Sequence, residues 1–408
     1  SLPSQNRNKL RHTRRRMPGT DAGILPEQTK QQMKYFISAG EASGDLHAAA
    51  LIDELRRLDP KAEFTFLGGD MMAEAAGHAP LLHYRDMAYM GFSEVLRNLG
   101  KVAHNLRTAR EALKTFAPDR LVLVDYPSFN LKLAAAAAKA GIITDYYISP
   151  KIWAWKKWRI RDIRRLVRHV YSILPFEPDF YHANGAESIY VGNPSVGEID
   201  KRLTLVPPRE EFFSARRLRP HRPLVALMPG SRRGEIRNNL PVMLAVMAHF
   251  PQYRGVIVGA PGIDDEIYSA AGATNDTPVL REESAVDILV NSRAALVTSG
   301  TATLETALAG VPQVAVYRAN GSRLSYNIMK RLLSVRFVTL PNLIADREII
   351  PEMLLHLCTP ESVAAQLEPL LRQNSEAREA QLAGYREIRG RLGDGCAPAR
   401  AATLIISD

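Results

Sequence analysis

Cysteine is nearly absent from this sequence, and long apolar runs are missing. The two cysteines, Cys358 and Cys396, occur without a CxxC pair or a Cys/His cluster, which excludes a disulfide framework and the zinc sites that such clusters form. No apolar stretch reaches the roughly 18 residues that a membrane-spanning helix needs, because Lys132 and Lys139 interrupt the alanine-rich segment 131–140. We therefore expect a folded chain in a reducing compartment, with no metal site and no membrane span.

Several motifs that mark common reactions are also missing. The sequence contains no Walker A motif, HExxH, GxSxG or GxGxxG, and no DxD-type acid pair beside a strand. These absences remove the usual support for NTP hydrolysis, zinc-dependent or serine hydrolysis, and dehydrogenase chemistry. No helix-turn-helix pattern or RNA-binding consensus occurs either. We therefore expect chemistry without a metal or cofactor, and no nucleic-acid partner.

Length and charge distribution indicate how the chain is organised. Its 408 residues exceed the size at which one hydrophobic core usually keeps growing, which predicts two domains. The net charge is +10, and residues 1–32 alone carry a surplus of five positive charges. That segment has no helical or strand period and no signal-peptide core, so we interpret it as a disordered basic tail. An artefact of the start site and a nucleic-acid-binding arm are the alternatives.

Short apolar runs alternate with longer amphipathic stretches in both halves, which is the pattern of βαβ units in a parallel sheet. The predicted fold class is α/β, with two Rossmann-like domains that face each other across a cleft. The proline-rich segment 200–223 predicts a break between domains at 33–205 and 206–370, and the helical segment 371–408 is expected to return to the first domain. Strands are predicted at 34–38, 64–68, 120–125, 144–148, 170–174, 188–191, 224–228, 253–258, 294–298, 313–317 and 337–340, with helices between them such as 46–58 and 92–115.

Two strands of the first half end in polar loops. The strand at 34–38 continues as SAGEASGD, in which small residues let a ligand approach the backbone and Ser43 or Asp45 can cap the next helix. The strand at 120–125 ends in Asp125, a carboxylate suited to remove a proton from an acceptor hydroxyl as a general base. Other interpretations stay open: Gly40 and Gly44 form only a tight turn, and Asp125 caps only the turn after it.

Two strands of the second half also open into loops suited to anions. The sequence PGSRRGE places Arg232 at a helix start, where a guanidinium and backbone amides can stabilise a departing nucleoside diphosphate. In SGTATLE, Ser299, Gly300 and Thr301 can contact a pyrophosphate, and Glu305 can accept both hydroxyls of a ribose. The alternatives are arginines that pair with surface acids and Glu305 as a capping-box acid. Both loops together favour a nucleotide-sugar site.

All three tryptophans of the chain lie among basic residues in the segment 149–159. Four further arginines follow within nine residues: Arg161, Arg164, Arg165 and Arg168. Aromatic and cationic groups together suit a phosphorylated sugar or a lipid headgroup region. The alternative is a basic helix that packs through its indole rings.

With these motifs in view, residues 33–370 resemble the lipid-A-disaccharide synthase family of GT-B glycosyltransferases, which act in bacterial outer-membrane lipopolysaccharide biosynthesis. The resemblance rests on a series of ordered blocks. They are SAGEASGD (38–45), MGFSEVL (90–96), DYPSFN (125–130), SPKIWAWK (149–156), LPFE (174–177), PGSR (229–232), SGTATLE (299–305) and LPNL (340–343).

The resemblance implies an inverting transfer of 2,3-diacylglucosamine from its UDP donor to the 6-hydroxyl of 2,3-diacylglucosamine 1-phosphate, which yields a β-1,6 disaccharide and UDP. Matched motif by motif, it implies that Asp125 is the base. It also implies a set of substrate-binding residues, namely Glu41, Ser43, Ser231, Arg232, Ser299, Gly300, Thr301, Glu305 and Asn342. Because both substrates carry acyl chains, segments 87–96 and 153–168 are expected to touch acyl chains and the cytoplasmic surface of the inner membrane.

The expected localisation is therefore cytoplasmic and peripheral to the inner membrane, and a homodimer is compatible with it. One rival hypothesis is another GT-B enzyme, such as a UDP-N-acetylglucosamine transferase or 2-epimerase, which would lack the SAGEASGD and SPKIWAWK blocks. A second rival is a non-catalytic membrane-surface binder that uses the basic tryptophan segment. Substituting Asp125 separates this second rival from an enzyme.

Overall fold

The first half of the chain forms alternating strands and helices in a computed structural model that describes residues 32–87, 99–153, 157–281, 285–318 and 336–408. The strands there are β1 (Lys34–Ala39), β2 (Glu63–Gly68), β3 (Leu82–His83), β4 (Arg120–Val124), β5 (Ile143–Tyr147), β6 (His169–Ser172) and β7 (Ile189–Tyr190). The helices are α1 (Ala42–Leu58), α2 (Asp70–Ala76), α3 (Leu99–Phe116), α4 (Pro127–Lys139), α5 (Ile160–Leu166) and α6 (Glu177–Ala183).

The second half repeats the alternation and ends in three helices. Its strands are β8 (Leu224–Met228), β9 (Arg254–Val258), β10 (Val279–Leu280), β11 (Ser292–Thr298), β12 (Gln313–Tyr317) and β13 (Glu352–Leu354). Helix α7 (Pro194–Leu203) ends the first half. The helices of the second half are α8 (Arg209–Ala215), α9 (Arg233–Met247), α10 (Asp265–Ala270), α11 (Ala285–Val290), α12 (Thr301–Leu308), α13 (Leu340–Ala345), α14 (Pro360–Leu371), α15 (Glu376–Leu392) and α16 (Ala397–Ser407).

The strands assemble into two parallel sheets. One has seven strands in the order β3-β2-β1-β4-β5-β6-β7, and the other has six in the order β10-β9-β8-β11-β12-β13. Every residue of β4 and of β8 is buried, as expected for central strands covered by helices on both faces. The predicted α/β class with two Rossmann-like halves is confirmed. Parallel strands bring their carboxyl ends, and the polar loops that follow them, to one edge of each sheet.

Most predicted strands are present within one or two residues of their predicted bounds, but the strand at 337–340 is wrong. Helix α13 begins at Leu340 instead, with Pro341 in its first turn, where the fixed φ of proline favours a helix start. Three strands of only two or three residues, β3, β10 and β13, escaped prediction because such short segments carry no readable period. Residues 1–31 of the predicted tail and 92–98 of the predicted helix lie outside the described residues.

An apolar cluster joins the two halves behind the loops. It includes Trp153 and Leu174 from the first half, Ile199 of α7, and Leu304 and Leu308 of α12. Helix α16 packs on α1, and its Ala401, Ala402 and Ile405 belong to the core beneath β1. Across the described ranges, no helix is both long and apolar enough to cross a membrane.

Candidate functional site

The turn after β4 holds Asp125 in an unusual backbone conformation. Asp125 and Tyr126 both have positive φ values, 45° and 46°, and Ile148 after the neighbouring β5 has a φ of 58°. Left-handed geometry is costly for residues other than glycine and persists only where the surroundings enforce it. The Asp125 amide donates a hydrogen bond to the Ile148 carbonyl oxygen at 3.0 Å, which links the two turns. Such strain commonly marks functional sites.

Asn130 enforces that turn, and we did not assign it a role from the sequence. Its side chain is fully buried, and its Nδ2 donates to the carbonyl oxygens of Ser38, Val124 and Asp125. Its Oδ1 accepts a hydrogen bond from the Ser38 hydroxyl at 2.7 Å. The Asp125 carbonyl also accepts from the Tyr146 hydroxyl at 2.5 Å. Asn130 therefore ties the ends of β1 and β4 together.

The loop after β1 is interlocked with the same turn. The Tyr126 ring lies against Gly40, where a Cβ atom would overlap the ring, so only glycine fits there. The Tyr126 hydroxyl donates to the Met87 carbonyl at 2.7 Å. Glu41 precedes the first turn of α1 and is half-buried, whereas Ser43 within that turn is exposed. Both candidate binding residues thus stand beside the Asp125 turn.

The prediction that Ser43 or Asp45 caps α1 is wrong. The N-cap position is Glu41, and no side chain caps the helix. The buried Asp45 carboxylate instead accepts hydrogen bonds from the backbone amides of Gly69, Met71 and Met72, at 2.6, 3.1 and 3.2 Å, and so caps α2. An acid at a helix start satisfies amides that have no partner within the helix. Asp45 is therefore a structural residue.

In the second half, the loop after β8 leaves Ser231 and Arg232 exposed. Gly230 has a φ of 117°, and a Cβ atom there would overlap the Glu235 side chain. Glu235 folds back to accept a hydrogen bond from the Ser231 amide at 3.1 Å, as in a capping box. The Arg232 side chain stays 61% exposed, with its nearest guanidinium nitrogen 3.8 Å from Glu235. Its charge therefore remains available to a ligand at the start of α9.

Asn239 ties together the ends of strands in the second sheet, as Asn130 does in the first. It is buried, and its Nδ2 donates to the Pro229 carbonyl and the Thr298 hydroxyl at 3.2 and 3.1 Å. Its Oδ1 accepts from the Arg318 amide at 2.7 Å. The loops after β8, β11 and β12 are thereby held side by side.

The loop after β11 presents the predicted polar helix start. Ser299 is half-buried, Gly300 and Thr301 are exposed, and Gly300 is the N-cap residue of α12 without any side-chain cap. Uncapped amides at the positive end of a helix suit an anion. Glu305 lies about one turn further along the helix and is half-buried. The Thr303 hydroxyl donates to the Gly300 carbonyl at 2.7 Å.

The electrostatics connect both sets of loops. Burial raises the pKa of Glu41 and the negative charge of Asp125 raises it further, whereas Arg232 and Lys151 lower it. The pKa of Glu41 thus responds to the charge of Asp125, the candidate base after β4, and to the charge of Arg232, the candidate diphosphate-binding residue after β8. Asp125 and Arg232 therefore both lie within electrostatic range of the Glu41 carboxyl.

A second contact between the halves involves Glu305. Burial raises the pKa of Glu305 and Glu198 adds to the rise, whereas His47 lowers it. The Nδ1 atom of His47 in α1 lies 3.0 Å from Oε1 of Glu198 in α7. His47 also opposes the rise in the pKa of Asp125. His47 therefore lies within electrostatic range of both Asp125 and Glu305.

Asp125 itself has the properties of a proton acceptor. Burial raises its pKa, and Lys151, the Tyr126 amide, His47 and Arg159 oppose that rise. A carboxylate whose pKa is raised from its usual value accepts a proton more readily, which suits general-base catalysis near neutral pH.

Asn342 does not face the cleft. It is fully buried, and its Oδ1 accepts from the amides of Ile349 and Ile350 at 2.7 and 3.0 Å. Its Nδ2 donates to the Ile350 carbonyl and to Glu352 at 2.9 and 3.0 Å. Because its polar atoms are occupied by the protein, this geometry contradicts a direct contact between Asn342 and the donor. Asn342 holds the segment that leads into β13.

The LPFE block anchors the start of the tryptophan segment. The Glu177 carboxylate is buried and accepts hydrogen bonds from Trp153 Nε1, at 3.1 Å, and from the amides of Ile173 and Leu174, at 3.2 and 3.0 Å. Trp153 also meets the Phe176 ring edge-on, with 5.0 Å between ring centroids. Residues 88–98 and 154–156 lie outside the described residues. They include most of the segment 87–96 and three residues of the segment 153–168, which are the two segments predicted to touch acyl chains.

Glu177→Gln should change how stability depends on pH. Burial raises the pKa of Glu177 to about 7, so between about pH 4.5 and 7 the folded state binds more protons than the unfolded state. The contribution of Glu177 to the free energy of unfolding therefore falls by about 3 kcal/mol as pH rises through that window. Urea unfolding from pH 5 to 8 should show a shallower decline for the variant, while Glu187→Gln, at an exposed site, keeps the wild-type slope. Parallel curves for wild type and Glu177→Gln would contradict the prediction.

Known proteins resemble this chain in sequence over most of its length. The family model for lipid-A-disaccharide synthetase matches residues 35–400. The lipid-A-disaccharide synthase of Myxococcus xanthus is 40% identical, over 91% of this chain and 97% of its own length. That of Geobacter metallireducens is 35% identical, over 93% and 98%.

Solved structures resemble the chain in fold. The UDP-GlcNAc 2-epimerase of Neisseria meningitidis, solved with UDP-GlcNAc bound, matches with a TM-score of 0.67 at 12% identity, over 92% of this chain and 100% of that chain. The glycosyltransferase of kitacinnamycin matches with a TM-score of 0.56 at 17% identity, over 92% and 98%. These likenesses confirm the GT-B type of architecture. In the described parts of the chain, no group of three or more His, Cys, Asp or Glu side chains is placed to hold a metal ion.

The match of the family model and the identity to full-length relatives show that this chain belongs to the lipid-A-disaccharide synthase family of glycosyltransferases.

Proposed function

We propose that this chain transfers 2,3-diacylglucosamine, with inversion, from its UDP donor to the 6-hydroxyl of 2,3-diacylglucosamine 1-phosphate. The products are the β-1,6 disaccharide 1-phosphate and UDP. The observation that carries the proposal is that Asp125 of the first half and Arg232 of the second both lie within electrostatic range of the Glu41 carboxyl, in a chain of this family. An acid that can remove the acceptor proton and a cation that can stabilise the leaving diphosphate are the two groups that an in-line displacement at the anomeric carbon uses.

In this mechanism Asp125 accepts the proton of the acceptor hydroxyl as that oxygen attacks the anomeric carbon. The bond to the diphosphate breaks on the opposite side, and negative charge develops on the leaving UDP. Arg232 and Ser231 at the start of α9, and Ser299, Gly300 and Thr301 at the start of α12, stabilise that charge. Glu305 accepts the ribose hydroxyls, and Glu41 and Ser43 contact the sugar of the donor.

A direct assay tests the reaction. The protein is incubated with UDP-diacylglucosamine and the 1-phosphate acceptor, and the disaccharide and UDP are measured by mass spectrometry. Parallel reactions receive UDP-N-acetylglucosamine, alone and with the acceptor. We expect disaccharide only from the acylated donor. Epimerised UDP-N-acetylglucosamine, or equal use of the unacylated donor, would overturn the proposal.

Arg232→Ala should lower kcat/KM for the donor by roughly 10²-fold or more, because the leaving diphosphate loses a positively charged partner. Arg233→Ala is a matched control, since the Arg233 side chain is 59% exposed, close to the 61% of Arg232, and already pairs with Asp264 at 3.1 Å. Steady-state kinetics with varied donor separates the two. Equal effects of both substitutions would argue against a specific role for Arg232.

We also propose that the protein works in the cytoplasm, in peripheral contact with the inner membrane. Trp158 is 63% exposed, and four arginines in or beside α5 are exposed around it: Arg161, Arg164, Arg165 and Arg168. An exposed indole beside cationic side chains suits an anionic membrane surface. Binding to anionic vesicles, compared with neutral ones, tests this contact. A homodimer stays a prediction.

A further inference from the structure

A buried guanidinium beside the candidate base has no counter-ion among the described residues. Arg159 is only 9% exposed, and within those residues no carboxylate oxygen lies within 4.0 Å of its nitrogens. The nearby acid Asp162 pairs with Arg165 instead, at 3.3 Å. A charge removed from water normally has an ionic partner, because its desolvation is costly. Arg159 therefore has the environment of a group that meets a ligand.

A hydrogen bond of the Arg159 guanidinium within the described residues indicates where that ligand would lie. Its Nη2 donates to the Ser128 hydroxyl at 2.9 Å. Ser128 is exposed and lies in the first turn of α4, a helix of 13 residues that starts without any side-chain cap. The guanidinium therefore meets the first turn of α4, where Pro127 has no amide hydrogen and Ser128 and Phe129 supply the backbone amides. Uncapped amides and an arginine together suit a phosphate.

The same turn lies beside Asp125, three residues before Ser128 in the chain. Arg159 and Asp125 act on each other electrostatically, and the exposed Lys151 acts on Asp125 and Glu41. Arg159 and Lys151, which both belong to the first half, therefore lie within electrostatic range of the candidate base. An acceptor sugar that offers its hydroxyl to Asp125 would bring a second charged group to these cations.

We propose that Arg159, Ser128 and the amino terminus of α4 bind the anomeric phosphate of the acceptor, with Lys151 close by. This inference rests on the proposed function and extends it from the reacting hydroxyl to the phosphate of the acceptor. The acceptor carries its phosphate on C1 and its reacting hydroxyl on C6, and the ring carbons C1 and C5 that bear these groups flank the ring oxygen. A phosphate site close to the base selects a phosphorylated acceptor and orients its hydroxyl toward Asp125.

The test compares the 1-phosphate acceptor with the same diacylated sugar bearing a methyl glycoside instead of the phosphate. Wild type should prefer the phosphorylated acceptor by roughly 10²-fold in kcat/KM, the size expected for a buried charge pair. Arg159→Gln should remove most of that preference, measured as the ratio of kcat/KM for the two acceptors. An equal loss with both acceptors would overturn the inference, because it would indicate a structural role or an effect on Asp125.

A second variant keeps the test decisive if Arg159→Gln folds poorly. Ser128→Asp places a carboxylate at the start of α4, where an acid stabilises the helix and can pair with Arg159. The variant should fold at least as well as wild type, but it should raise KM for the phosphorylated acceptor, relative to KM for the methyl glycoside, by tenfold or more. An unchanged KM would contradict the proposed site.

The outcomes also separate this inference from the proposed function. If wild type forms no disaccharide from either acceptor, the proposed function fails. If disaccharide forms but the preference for phosphate survives both substitutions, only the phosphate site fails.

Discussion

Asp125→Asn is expected to lower kcat by roughly 10²- to 10⁴-fold, the usual contribution of a general base. Asparagine has nearly the same shape and tolerates left-handed backbone geometry, so the turn after β4 should survive. The hydrogen bonds from Asn130 and Tyr146 reach the backbone carbonyl of Asp125 and do not depend on its carboxylate. The fall in kcat should therefore come from the loss of proton transfer from the acceptor hydroxyl to residue 125.

Single-turnover measurements of disaccharide formation, with UDP affinity measured in parallel, check this expectation. UDP affinity should hold, because the diphosphate loops belong to the other sheet. Asp179→Asn, at an exposed position of α6, is the control and should retain full activity. Near-normal turnover of Asp125→Asn would remove Asp125 as the base.

The pH dependence of the wild-type reaction supplies a further check on the same residue. The base must be deprotonated to act, so kcat/KM should rise with pH through the pKa of Asp125. Because burial raises that pKa, the rise should be centred above the usual range of an aspartate. Asp125→Asn should abolish this acid limb.

Asp145→Asn should cost about 3–5 kcal/mol of stability, as expected when one partner of a buried ion pair is removed. Asp145 is fully buried and contacts Arg120, whose side chain is 4% exposed, at 3.3 Å and His169 at 3.0 Å. The carboxylate of Asp408, just after α16, also meets Arg120, at 3.4 Å. With asparagine at position 145, Asp408 would be the carboxylate that remains beside the Arg120 guanidinium among the described residues.

Urea unfolding measures this loss. Asp276→Asn is the matched control, because Asp276 pairs with Arg222 at 2.7 Å while its own side chain is 64% exposed. Exposed pairs contribute about 0–1 kcal/mol, so this control should remain close to wild type. Equal stability of the Asp145 and Asp276 variants would show that the buried network contributes little.

The sequence predicted the sheets well because their central strands are continuous apolar runs. It failed where the signal was too short or ambiguous: β3, β10 and β13 span two or three residues, and the apolar stretch before Pro341 was interpreted as a strand. The domain boundaries at 205 and 370 stay predictions. The packing of α16 on α1 is compatible with a return of the last segment to the first domain.

For the site, polar residues just after strands were informative, because topology alone brings them to one edge. Partnerships formed by folding could not be predicted in this way. Asp45 resembled a cap for its own helix but binds the amides of α2, and Asn342 lies in a motif yet is buried. Asn130, Asn239 and Arg159 act through residues distant in the sequence, and no local pattern distinguishes them. The roles of the site residues stay proposals.

The buried asparagines have a consequence for redesign. All hydrogen bonds of the Asn130 side chain end on residues of the first sheet and its loops, and all those of Asn239 end on the second. The hydrogen bonds of each asparagine thus stay within one half of the chain. Exchanging the segment around α9 and α12 for that of a relative with another nucleotide sugar should alter donor choice, while acceptor choice is inherited from the unmodified half.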